Sequence, residues 1–249
     1  MRLNGKVAII TGASKGLGLD IAKLFAKNGS EVVITDVNDR DGLLETNKIQ
    51  GQGNKAAYFH LDVTSEADWF HLVPKVIKEY GKIDILVNNA GVYHRGSLDA
   101  TEISDWDRVF NVNAKGVFIG TRAVLPEMKK QMKGAIVSIS SIAGIIGSKQ
   151  SVAYNSAKGA IRLFTKSVAV QYADQGIRAN TIHPGPMETD MLNELFITKE
   201  EYEGRRKRIP LGRFATVRDV SNGVLFLSSE EASLITGSEL IIDGGWTAQ

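Results

Sequence analysis

The sequence has no cysteine, which excludes a disulfide framework and any thiolate metal site. It has little charge imbalance: a formal net charge of +2 gives no ground for nucleic acid or an anionic membrane as partner. It has no apolar run of the ~18 residues that span a bilayer, and no signal-peptide core before its first apolar segment. Linkers, composition shifts and internal repeats are also missing. What is present is ordinary globular material, 43% hydrophobic and 23% charged. At 249 residues the chain lies at the upper end of what one hydrophobic core organises, so a single cytoplasmic domain is expected.

Short β-branched runs alternate with stretches of helical period. Val7–Thr11 is apolar on both faces and ends in a turn, the pattern of a buried strand. Leu17, Ile21, Leu24 and Phe25 then recur on one face of a helix that Asn28-Gly29 closes. Further strands are expected at 31–36, 56–61, 83–87, 135–140, 178–183 and 239–242, with helices at roughly 66–80, 105–131 and 152–173. This alternation predicts an α/β fold, a doubly wound, Rossmann-like parallel sheet with helices on both faces. The rhythm breaks between Pro184 and Pro210, where an apolar cluster (Met191, Leu192, Leu195, Phe196, Ile197) precedes a basic run. So long an irregular segment in a compact domain predicts a substrate lid at about 186–210.

Thr11-Gly12-Ala13-Ser14-Lys15-Gly16-Leu17-Gly18 joins the first strand to its helix, where backbone N–H groups and the helix dipole can hold a pyrophosphate. The spacing is G-x-x-x-G-x-G rather than G-x-G-x-x-G, and a tight strand-to-helix turn would account for the glycines equally well. Asp36 adds context. It ends the second strand 18 residues after Gly18, where a carboxylate accepts hydrogen bonds from both adenosine ribose hydroxyls and repels a 2′-phosphate. The expected cofactor is therefore NAD rather than NADP, with Lys15 and Arg40 as nearby cations that either soften this preference or face solvent. Asp62-Val63 and Asn88-Asn89-Ala90-Gly91 close the third and fourth strands at the sheet edge where such folds bind ligands, although turn chemistry alone would explain the second stretch.

Tyr154 and Lys158 stand at i and i+4, on one face of an expected helix. A free phenol titrates near 10, and an adjacent ammonium favours the phenolate and lowers that value. With six tyrosines in the chain such a pair arises easily by chance, so its setting matters more. Ser140 and Ser141 end the fifth strand upstream of Tyr154, and one of these hydroxyls could hold a substrate carbonyl oxygen beside the phenol. Asn113 lies in an otherwise apolar helical stretch, either as a satisfied core amide or as part of the chemistry.

Taken in order, Thr11-Gly12-x-x-x-Gly16-x-Gly18, Asn88-Asn89-Ala90-Gly91, Asn113-x-x-Gly116, Ser141, Tyr154-x-x-x-Lys158 and Pro184-Gly185-x-x-x-Thr189 resemble the motif set of the short-chain dehydrogenase/reductase family. The resemblance runs from Gly5-Lys6 to Asp243-Gly244-Gly245, and is closest in appearance to bacterial NAD-dependent secondary-alcohol and hydroxysteroid dehydrogenases. It implies Tyr154 as general acid or base, with Lys158 binding the nicotinamide ribose, lowering the tyrosine pKa and passing on the proton. It implies Ser141, rather than Ser140, on the substrate oxygen, and Asn113, rather than Asn111, as the holder of a relay water. Around the cofactor it implies Gly12, Ser14, Lys15, Gly16, Leu17, Gly18 and Asp36, then Asp62 and Val63 at the adenine and Asn89, Ala90 and Gly91 alongside. Pro184, Gly185, the backbone of Met187 and Thr189 follow near the nicotinamide. A homotetramer paired through the helices near 105–131 and 152–173 is implied as well. Some alcohol dehydrogenases of this kind carry a structural divalent ion at the C-terminus, whereas the residues themselves suggest a frayed end at Gln249 and no metal.

Ile142, Ile145, Ile146, Val92, Tyr93 and His94 would wall the pocket, and their mostly apolar character fits a hydrophobic secondary alcohol or ketone, core packing of the isoleucines being the other reading. Arg205-Arg206-Lys207-Arg208 reads as a solvated face or as a contact for an acidic carrier protein, and His183 reads as structural. Two other functions stay in view. A 3-oxoacyl-[carrier protein] reductase using NADPH is favoured by the basic run and opposed by Asp36. A non-catalytic dinucleotide-sensing protein is opposed by the intact set Asn113, Ser141, Tyr154 and Lys158.

Overall fold

The first strand, β1 (Val7–Thr11), is buried along its whole length, and so are β4 (Ile85–Asn88) and β5 (Gly134–Ile139). Strands buried on both faces must be covered on both, which is the parallel-sheet solution. In the computed structural model, which describes residues 1–188 and 198–249, seven parallel strands run in the order β3-β2-β1-β4-β5-β6-β7. The others are β2 (Glu31–Asp36), β3 (Ala56–His60), β6 (Ile177–Pro184) and β7 (Glu239–Ile242). Every expected strand is present, its ends within two residues of the sequence reading. Ile10 pairs with Ile34 on one side and Val87 on the other. The chain thus builds outward from β1 to β3, then returns to start the other half at β4. Such a reversal opens a crevice between the carboxyl ends of β1 and β4.

One face of the sheet is covered by α1 (Gly16–Lys27), whose Ile21, Ala22 and Phe25 are fully buried, and by the helix at Val217–Ser228. The other carries α3 (Glu66–Tyr80), α5 (Gly116–Gln131) and α6 (Val152–Tyr172), with Trp69, Leu72 and Met128 in its core. Burial of each such side chain contributes about 1.5–3 kcal/mol. Among the described residues, no helix is long and apolar enough to cross a membrane.

The single helix expected at 105–131 is two, α4 (Ile103–Phe110) and α5, joined by a π-helical turn at Asn111–Lys115. Among the described residues, three helices were not expected. In α2 (Asp39–Gln50) only Gly42, Thr46 and Ile49 are buried, too few for a periodic signal. The segment read as irregular contains α7 (Lys199–Arg206), which buries nothing. The last, α8 (Val217–Ser228), begins at a full capping box between Thr216 and Asp219.

Candidate active site

The crevice is a cavity of about 780 Å³, and the β1–α1 loop forms one of its walls. Gly12 and Gly16 adopt φ of +62° and +57°, the left-handed region that side chains rarely enter. A Cβ on Gly12 would stand 2.8 Å from Ala90 Cα, and one on Gly18 would collide with the Gly12 carbonyl and with Asn89 Nδ2. Only glycine lets this loop lie so close to the end of β4. Asn89 Nδ2 donates to the Thr11 and Gly12 carbonyls, 2.9 Å each, and Thr11 Oγ1 accepts from the Asn89 and Ala90 N–H groups. The Asn89 side chain is therefore spent on bracing the loop. Thr11, which the sequence places at the head of the glycine motif without indicating a role for it, is the other half of that brace.

Asp36 leaves β2 facing the same loop. Its carboxylate accepts from Ser14 N at 3.1 Å and Asn38 N at 3.0 Å, while Tyr58 donates to its main-chain carbonyl at 2.7 Å. Asp62 and Val63 also line the cavity, with Asp62 Oδ1 accepting from both Thr64 N and Thr64 Oγ1. Glycine-walled space, exposed loop amides and an anchored carboxylate fit the phosphate and ribose ends of a dinucleotide. Among the described residues no cluster of three or more His, Asp or Glu side chains is placed to hold a metal.

At the end of β5 two adjacent serines diverge. Ser140 is buried and its hydroxyl donates to the Lys158 carbonyl at 2.8 Å; Ser141 lines the cavity beside Tyr154. His183, fully buried on β6, sits with Nδ1 3.1 Å from the Ser141 carbonyl and Nε2 2.8 Å from Thr181 Oγ1. Burial lowers its pKa, so it stays neutral and holds Ser141 in place. On α6, Lys158 Nζ donates to the Ile139 carbonyl at 2.8 Å and lies 5.5 Å from the centre of the Tyr154 ring. Burial pushes the Tyr154 phenol up to about 12, with hydrogen bonding from Ser141 pulling the other way, and pushes Lys158 down to about 8. This differs from the expected lowering of the tyrosine by its lysine. The ammonium is directed at a carbonyl and over the ring, and desolvation dominates. Tyr93 packs edge-on against Tyr154, ring centres 5.2 Å apart.

Asn113 lies in the π turn and is fully buried. Its amide brackets Val92, accepting from Val92 N and donating to Val92 O, 2.8 Å each. The side chain is thus a satisfied core amide next to Gly91, where a Cβ would come 2.9 Å from Asn113 Oδ1.

Pro184, Gly185 and Met187 line the cavity beyond β6. Thr189 and the apolar cluster Met191 to Ile197 lie outside the described residues, so only part of the expected lid is seen. Ile142 and Ile146 face the cavity with Val92 and Tyr93, while Ile145 and His94 do not; His94 stands 3.4 Å from Asp105. The basic run divides: Arg206 pairs with Glu203 at 2.8 Å, but Arg205 and Arg208 line the cavity. The C-terminus is not frayed. Thr247 bonds Asp243, Gln249 Nε2 donates to the Arg208 carbonyl at 2.9 Å, and Trp246 joins the cavity wall.

Comparison with known proteins agrees with this arrangement. Residues 12–247 match the family model described as enoyl-(acyl carrier protein) reductase. The chain is 42% identical over 99% of each sequence to a cyclopentanol dehydrogenase of Comamonas sp. (strain NCIMB 9872). It is 37% identical to the 2,5-dichloro-2,5-cyclohexadiene-1,4-diol dehydrogenase LinX of Sphingobium indicum (strain DSM 16412 / CCM 7286 / MTCC 6364 / B90A), over 99% of this chain and 98% of that one. The crystal structure of gox2181 superposes with a TM-score of 0.96 at 30% identity, covering 100% of this chain and 98% of the other.

Proposed function

We propose that this chain, which belongs to the short-chain dehydrogenase/reductase family, oxidises a hydrophobic cyclic secondary alcohol with NAD and reduces the matching ketone with NADH. The observation that carries this reading is one cavity with Asp36 at one end and Ser141, Tyr154 and Lys158 at the other. The relatives that act on ring alcohols support the substrate class.

When bound, the oxidised cofactor supplies the hydride acceptor and a positive charge beside the phenol. Ser141 Oγ orients the alcohol oxygen, and Tyr154 Oη takes its proton, returning it in the reductive direction. A phenol held near 12 is a poor base at neutral pH; bringing it to about 8 takes about 5 kcal/mol of differential stabilisation. Lys158 Nζ is the residue placed to contribute to that stabilisation and to carry the proton onward. Since the amide of Asn113 is committed to Val92, any relay at this residue uses its main-chain carbonyl. Gly12, Ser14, Lys15, Gly16, Leu17 and Gly18 hold the pyrophosphate, Asp36 the adenosine ribose, Asp62 and Val63 the adenine, and Ala90 and Gly91 lie alongside the cofactor. Pro184, Gly185 and Met187 lie along the nicotinamide, the side of the cavity that they line.

We also place the enzyme in the cytoplasm as a homotetramer. Exposed Phe118 on α5 and Leu163 and Val170 on α6 are the apolar surface that such pairing would cover. Following absorbance at 340 nm with cyclopentanol and cyclohexanol, using NAD and NADP in parallel, tests the reading. Turnover with NAD is expected; tight NADH binding with no turnover on any alcohol or ketone would instead mark a sensor.

A further inference from the structure

Lys158 and Arg162 stand one turn apart on α6. A helical side chain leans toward the N-terminus of its helix, so Arg162 covers the turn that carries Lys158. Against that turn lies Gly144, the last residue of a short 3₁₀ turn that Ser141 caps. A Cβ on Gly144 would come 2.7 Å from the Lys158 main chain, so only glycine lets the two backbones meet. Arg162 Nη1 donates to the Gly144 carbonyl at 2.9 Å. At the other end of the turn, the Ser141 carbonyl meets His183 Nδ1 at 3.1 Å. The segment that carries the Ser141 hydroxyl is thus held by a side chain at each end.

The arginine is itself clamped. Its Nε and Nη2 donate to the two oxygens of Glu239, at 2.9 and 3.2 Å, the paired geometry that a planar guanidinium allows. Glu239 comes from β7 in register with Thr181 of β6, so it shares a sheet face with Thr181 and His183. Its Oε2 lies 3.6 Å from His183 Nε2, a proximity rather than a hydrogen bond. Lys166 Nζ stands 2.7 Å from the other oxygen. Burial pushes the Glu239 carboxyl up, but Lys166 and Arg162 outweigh it and hold the group below its ordinary value, hence ionised. With 15% of the Glu239 side chain exposed, solvent screens this pair less than a surface one.

We propose that Arg162, clamped by Glu239, is a positioning residue for Ser141, fixing where its hydroxyl stands relative to the Tyr154 phenol. This deepens the alcohol-dehydrogenase reading above and rests on it. Arg162 is not part of the cavity lining, so its effect passes through the turn rather than through contact with substrate. Rates respond steeply to such placement: a displacement of about 1 Å costs about a hundredfold.

The test measures kcat/KM for cyclopentanol with saturating NAD in the full-length protein. Arg162→Met should lower it about ten- to a hundredfold through kcat, with the NADH dissociation constant little changed. Arg162→Lys and Glu239→Gln keep part of the clamp and serve if Arg162→Met does not fold; each should lower it less. The deciding readout is a double-mutant cycle. In a Ser141→Ala background, Arg162→Met should cost less than about threefold more, because the hydroxyl it positions is gone. Losses that multiply in the double variant overturn the proposal, since an arginine that merely stabilises the fold acts independently of that hydroxyl. A second readout needs no turnover. The amides of Gly144 and Ile145 hydrogen-bond to the Ser141 and Ile142 carbonyls, and their hydrogen exchange should quicken in Arg162→Met and Glu239→Gln while β4 is unchanged. Unchanged exchange at the turn overturns the proposal. Faster exchange there, in a protein that turns over no alcohol or ketone, supports the clamp and sinks the dehydrogenase reading. Turnover with unchanged exchange and multiplying losses does the reverse.

Discussion

The Ser140 hydroxyl donates to the Lys158 main-chain carbonyl at 2.8 Å, whereas the neighbouring Ser141 turns its hydroxyl toward Tyr154. Adjacent residues at a strand end face opposite ways, so one serine locks β5 to α6 and the other opens into the cavity.

The two should therefore separate on mutation. Ser141→Ala should lower kcat/KM by about 10²–10³ while NADH binding persists, the usual cost of losing one donor to a reacting oxygen. Ser140→Ala should act mainly on stability, by about 0.5–1.5 kcal/mol, because it removes a buried hydrogen bond to the Lys158 carbonyl, which keeps its helical partner. Steady-state kinetics and thermal melts on both variants check this, and the opposite pattern would exchange their roles.

Asn113→Ala should destabilise the protein by about 1–3 kcal/mol, since it unpairs both the N–H and the carbonyl of Val92. Turnover should fall with it, because Val92 and Tyr93 form the wall against Tyr154. Denaturant melts combined with kinetics on the folded fraction measure the two effects separately.

Lys158 gives a pH signature. Its folded-state pKa of about 8 lies below the ordinary lysine value of 10.5, so between these values the unfolded chain binds more protons than the folded one. Folding stability from this group therefore rises as pH increases from 8 toward 10 and is lost as pH falls through 8. The slope approaches about 1.4 kcal/mol per pH unit in that window, and Lys158→Met should remove it. Urea unfolding of the cofactor-free protein at pH 7, 8, 9 and 10 makes the comparison.

Asp36→Ala should narrow the preference for NAD over NADP by about ten- to a hundredfold, as the hydrogen bonds to a charged group and the repulsion of a 2′-phosphate disappear together. Part of the loss will come from the loop, because Asp36 also fixes Ser14 N. An unchanged NAD/NADP ratio of kcat/KM would contradict the ribose assignment.

The strands were legible because each is a short apolar run bounded by turn residues, and β1 and β5 are buried throughout. The glycine loop, Asp36 and the Ser141-Tyr154-Lys158 spacing were legible because strand ends and helix turns fix where such side chains emerge. What was not legible depends on tertiary packing. A π turn at Asn111–Lys115 adds no residue type of its own, so nothing in the sequence signalled the break in the expected helix. α2 and α7 bury too little to show a period, whereas α8 did carry a readable signal in the Thr216-x-x-Asp219 box. The direction of the tyrosine pKa depends on burial, which spacing does not encode. The sorting of Arg205 and Arg208 from Arg206 likewise needs the course of the chain after α7.

The most direct test of the account is Tyr154→Phe, which removes one oxygen and keeps the ring packed on Tyr93. The account predicts a fall in kcat of about 10²–10⁴ for oxidation of a cyclic alcohol, with the NADH dissociation constant little changed. Near-normal turnover in that variant would remove Tyr154 from the proton transfer and contradict it.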